Sequence, residues 1–233
     1  MMCHPIAVER MVANATALVN AIASADFPNG FVVISEPLPG RLHGVAFGSG
    51  VELAQAHGYG GGVGSVWLDP AKYTDGVEEP TPGVVATYTA HTLHELAHAV
   101  VNEEPHATED PLAAVNRTAH ELEFTAERAA RWHCHRWVAA YALALRRAFT
   151  HRDAMAPEMV VAIVRDVQRY GFELDAVVDA VADFPRVGAW RAMLAEGGEW
   201  ERRLLERLPP LEQRLVRIAD AGTPRPAGER GLA

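Results

Sequence analysis

The chain has 233 residues, 49% of them hydrophobic and 22% charged, and carries a net charge of −9. This is the composition of a globular protein with one substantial core. The acidic balance, with Lys72 as the only lysine, excludes a phosphate-binding surface and so a nucleic-acid partner. Two cysteines, Cys3 and Cys134, make no disulfide framework.

In chain order, residues 5 to 25 predict a helix with Ile6, Met11, Val12, Leu18, Val19 and Ile22 at its apolar positions. Asn14, Asn20 and Ser24 break its alanine-rich stretch. It is too weakly apolar for a membrane span and lacks a positively charged leader, so the expectation is a cytoplasmic protein with no membrane partner. Phe31 to Ile34 and Leu42 to Phe47 read as strands, and Val51 to His57 as a short helix. The glycines of Tyr59 to Gly64 lead into a third strand, Ser65 to Asp69, without the Gly-Lys-Ser/Thr of a phosphate loop. Gly64 to Asp69 is the candidate sheet edge on which an extended peptide can add itself as a strand.

Pro70 to Gly83 predicts a surface loop, followed by a helix from Val84 to Asn102 with Thr89 or Thr92 as its cap. Asp110-Pro111 opens a second long helical pattern reaching Phe149. Shorter helices are expected at Pro157 to Tyr170, ended by Gly171, and at Leu174 to Ala182 and Val187 to Leu194. A last one, Trp200 to Ala219, is expected to kink at Pro209-Pro210. Residues 1–220 read as a single domain and 221–233 as a disordered tail.

The chemistry is concentrated in His94-Glu95-Leu96-Ala97-His98. Histidines four apart share one helical face, with Cβ atoms about 5–6 Å apart, so both imidazoles can reach one metal ion. Glu95 lies at the edge of that face, where a carboxylate can take the proton of a zinc-bound water as it attacks a carbonyl. A catalytic zinc keeps three protein ligands and one open position, so the pair needs a third partner.

Glu123 and Glu127 lie four apart on one face of the next helical pattern, with His120 one turn earlier. Glu123 is the favoured third ligand; Glu127, His120, Glu121 and His106 are its rivals. Glu127 is also placed to accept a hydrogen bond from a ligating histidine. His133-Cys134-His135 reads as structural, because neighbouring helical residues point about 100° apart and do not converge on one ion. His91 can line the cleft one turn before His94. Tyr73, Tyr88, Tyr141 and Tyr170 are candidates for stabilising an oxyanion.

The pairing of His94-Glu95-Leu96-Ala97-His98 with Glu123-Phe124-Thr125-Ala126-Glu127-Arg128-Ala129-Ala130 resembles the gluzincin branch of the zincin metallopeptidases, and within it the small ImmA/IrrE-type peptidases. The resemblance covers roughly residues 84 to 131. It implies zinc held by His94, His98 and Glu123, Glu95 as general base and acid, and Glu127 supporting a histidine. SprT-type minigluzincins use a histidine as third ligand, which keeps His120 in play. The expectation is an α+β, helix-dominated zincin-like domain with a small N-terminal sheet and a helical C-terminal half. It would be a zinc metallopeptidase acting on a peptide or protein substrate. The alternative is a regulatory or scaffold protein with a structural or vestigial zinc site.

Overall fold

A computed structural model describes residues 4–38, 44–47, 64–74, 77–101, 126–151, 157–173, 175, 177 and 199–222. The fold is helix-dominated with a small sheet, the α+β class the sequence predicts. Helix α1 spans Pro5–Ala23, and its buried residues Met11, Ala15, Leu18, Val19 and Ile22 recur at the spacing of one helical face. By length and composition alone α1 could cross a membrane, yet this face belongs to the core.

Strands β1 (Phe31–Ile34), β2 (Gly44–Phe47) and β3 (Gly64–Leu68) form a sheet of order β1-β3-β2. β1 runs parallel to β3, with Phe31 opposite Gly64, and β2 runs antiparallel, with Gly44 opposite Leu68. β3 is therefore the central strand, not the expected edge. It is buried along its whole length, and its backbone groups are committed to two neighbours. Among the described strands, the edge positions fall to β1 and β2. On β1, Asn20 of α1 accepts from Phe31 N at 2.8 Å and donates to Phe31 O.

Gly64 is required for packing. A Cβ at that position would come within 2.5 Å of Phe31 Cδ2 and closer still to Phe27 Cδ1, and the two rings already meet edge to face at 5.0 Å. Gly64→Ala should lower stability by about 1–3 kcal/mol, the usual cost of overpacking. A shifted urea midpoint with an unchanged m-value would register it; a wild-type midpoint would show that the two rings move aside freely.

A short helix, α2 (Ala71–Thr74), interrupts the expected loop before α3 (Pro82–Val101). The cap of α3 is Thr81, whose Oγ1 accepts from Val84 N at 3.3 Å. Thr89 and Thr92, expected as caps, lie inside the helix and donate to the carbonyls of Val85 and Tyr88. From Tyr88 to Val100 nearly every side chain of α3 is buried, as in a helix enclosed on all sides. α3 packs against β2, β3 and the C-terminal helices.

Helix α4 (Ala126–Trp132) stops short of α5 (His135–His151), so the expected continuous helix is broken at His133-Cys134. Trp137, Val138, Tyr141 and Leu145 carry α5 into the core. Helix α6 (Pro157–Arg169) ends at Gly171, with φ of +80°, the left-handed conformation that closes helices. Pro209-Pro210 divides the last pattern into α7 (Glu199–Arg207) and α8 (Leu211–Gly222). The predicted helices at 51–57, 174–182 and 187–194 lie wholly or largely outside the described residues, as does the tail beyond Gly222.

Candidate metal centre

α3 packs against both α5 and α6, and its histidine face meets them. His94 and His98 lie one turn apart and are 5% and 9% exposed. They are joined by His133, 4% exposed, which sits at the break before α5. The three rings form a near-equilateral triangle, with centroid separations of 5.1, 5.0 and 5.0 Å. Their candidate ligand atoms all lie within 4.8 Å of one another.

The tautomers follow from the partners. His133 Nδ1 lies 2.7 Å from the Ala129 carbonyl oxygen, which only accepts, so Nδ1 carries the proton. His94 Nδ1 lies 2.9 Å from Asp166 Oδ2, and Asp166 is held ionised. Burial pushes that carboxyl up, but the charge and hydrogen bond of His94, with His91 adding, bring it down to about 2. Each ring thus turns its Nε2 to the other, at 3.1 Å. Two nitrogens bound tetrahedrally at about 2.0–2.1 Å from zinc stand about 3.3 Å apart, so the spacing suits a shared ion.

In the metal-free protein a proton fills that role. Burial lowers His94, but the Asp166 charge and hydrogen bond outweigh it and leave this imidazole above its ordinary value. Burial, then the charge of His94, holds His98 and His133 well below theirs. The arrangement is a His94 imidazolium donating from Nε2 to the neutral His133 imidazole. A divalent cation would displace the proton and meet three lone pairs.

The surroundings fix these rings. Tyr170 stacks on His133, with centroids 3.5 Å apart and planes at 21°. Trp137 Nε1 donates to the His94 carbonyl at 3.3 Å. His91, half-buried, shares a 2.7 Å hydrogen bond with the Tyr73 hydroxyl and stands 3.8 Å from Asp166 Oδ1. Glu95 is half-buried. Burial pushes its carboxyl up to about 7, the like charge of Asp166 acting with burial and the opposite charge of His94 against it. That value suits a group taking and returning a proton near neutrality. Of the four tyrosine candidates, Tyr88 and Tyr141 are fully buried. Tyr73 and Tyr170 are half-buried, and the charge of Glu95 adds to the burial that raises both phenols.

Of the residues singled out from sequence, His94, Glu95 and His98 are brought to one place. Glu123, His120, Glu121 and His106 lie outside the described residues. Glu127 is exposed in the first turn of α4, and the carboxylate that orients a cluster imidazole is Asp166. Of His133-Cys134-His135, read from sequence as structural, His133 joins the group that could hold an ion, whereas His135 points away to Glu201. Nothing in the sequence marks Asp166, which lies in an ordinary amphipathic pattern, 72 residues from its partner. Compared with family models, curated proteins and solved structures, the chain matches none.

Proposed function

We propose that the chain is a zinc-dependent hydrolase of the zincin kind, cleaving peptide bonds at the His94/His98/His133 centre with Glu95 as the proton-transferring group. The observation that carries this is the pair of Nε2 atoms facing each other at 3.1 Å, both Nδ1 sites being occupied by acceptors. Zinc held there by three imidazoles would supply Lewis acidity and acidify a water at its open fourth position. Glu95 takes the proton of the attacking water and returns it to the leaving amine. Asp166 keeps His94 in the tautomer that offers Nε2. Tyr73, bonded to His91, and Tyr170, stacked on His133, are both kept protonated by burial and are the half-buried phenols around the centre that can donate to a developing oxyanion. The peptide assignment draws on the His-Glu-x-x-His chemistry, because β3 is not the edge strand that would receive an extended substrate.

One observation favours a second reading, a structural zinc in a regulatory protein: all three imidazoles are less than a tenth exposed. Elemental analysis and a mixed peptide library separate the two. About one zinc per chain, with cleavage abolished by a chelator and restored by zinc, is the outcome for a hydrolase. Zinc that raises the melting temperature without any cleavage favours the structural role, and a chain that takes up no zinc sinks both.

A further inference from the structure

We propose that Arg214, on α8, is a positioning residue of the metal centre: it fixes the third imidazole by holding the backbone carbonyl of His133. This rests on the metal reading above and deepens it. α4 ends at Trp132 and α5 begins at His135, so the His133 carbonyl lies between the two helices, outside the ladder that a continuous helix would supply. Leaving a buried acceptor unpaired costs about 1–3 kcal/mol.

Arg214 Nη2 donates to that carbonyl at 2.6 Å, a short, charge-assisted bond. The same nitrogen lies 3.4 Å from the carbonyl of Tyr170, the residue whose ring covers His133. The guanidinium carbon stands 4.0 Å above the centre of the Phe172 ring. Between these residues, Gly171 approaches the Arg214 backbone so closely that a Cβ there would lie 3.0 Å from its carbonyl oxygen. Arg214 is itself 7% exposed, so its charge is spent inside the protein and not on solvent.

Three restraints thus converge on His133. Ala129 O sets the tautomer and Tyr170 sets the ring plane. Arg214 sets where the backbone of residue 133 stands relative to α3. Without Arg214 the segment between α4 and α5 can drift and carry Nε2 out of register, while His94 and His98 stay in place on their own helix. The C-terminal helix, remote from the His-Glu-x-x-His motif, is in this way part of the metal site.

The test compares Arg214→Met, which keeps the apolar stem, and Arg214→Lys, which keeps the charge. Arg217→Ala, on a half-buried residue of the same helix that pairs with Glu173, is the control. Circular dichroism of the metal-free proteins reads the fold, chelator competition reads zinc affinity, and the visible spectrum of the cobalt-substituted protein reads the ligand geometry. Folded Arg214→Met should bind zinc about 10–100-fold more weakly, the range for groups that orient a metal ligand, with altered cobalt bands. Arg214→Lys should recover part of both, and Arg217→Ala should match wild type. Wild-type affinity and spectrum in folded Arg214→Met would overturn the proposal. So would metal-free Arg214→Met and Arg214→Lys proteins that both fail to fold, since the arginine would then serve the fold and not the ligand. Wild-type protein without zinc would remove the metal reading itself, a distinguishable failure.

Discussion

Zinc should be lost when His133 is replaced by alanine. Three imidazoles share the binding free energy, about 10–16 kcal/mol for a structural zinc, so one ligand accounts for several kcal/mol, on the order of a thousandfold in affinity. The remaining pair, His94 and His98, sits on one helix and cannot close a three-sided cradle. Elemental analysis of His133→Ala purified beside wild type reads the outcome directly. Glu127→Ala and His135→Ala are the controls, because the first side chain is exposed and the second is engaged with Glu201; both should retain metal. The opposing result is a His133→Ala protein with full zinc content. If Glu123→Ala then lost the metal, the third ligand would return to the gluzincin pattern and the triangle of imidazoles would be a core packing motif. Fold and metal loss are separable in this experiment. Removal of the His133 ring also exposes one face of Tyr170, so a modest fall in melting temperature is expected of the metal-free variant as well.

The parts of this protein that were legible in its sequence are those encoded by short-range periodicity. Phe31–Ile34 alternates with nothing polar and forms β1 over those residues. The His94/His98 spacing fixes a shared helical face before any tertiary contact is known. Pro209-Pro210 and Gly171 end helices for local steric reasons. What remained hidden depends on partners distant in sequence. The helical pattern of 126–149 runs through His133 and Cys134 without a proline or glycine, so nothing local marks the break, and the group that meets the His133 carbonyl there, Arg214, arrives from 81 residues away. Asp166 has nothing to distinguish it from a solvated helix carboxylate until α6 packs on α3. The centrality of β3 was equally hidden: a buried run reads the same whether its neighbours lie on one side or two, and only its direct pairing with β1 on one side and β2 on the other decides it.

Glu95→Gln should leave zinc content and fold intact and reduce hydrolysis by about 10²–10⁴-fold, the usual contribution of a positioned general base. Glutamine keeps the shape of the side chain and imitates its protonated form. In the metal-free protein burial pushes the carboxyl up to about 7, so there the neutral form is already well populated near neutral pH and the melting temperature of the metal-free variant should hold. The amide cannot accept the proton of an attacking water. A pH profile sharpens the test. Wild-type rate requires the ionised carboxylate, so it should rise with pH on its acid limb and level off once Glu95 is ionised. A bound cation nearby favours the charged form and moves that limb below the metal-free value of about 7. In Glu95→Gln the residual rate should lose this limb. An active Glu95→Gln enzyme with the limb intact would mean that another group transfers the proton, and Tyr73 and Tyr170, the half-buried phenols beside His91 and His133, would be the next to replace.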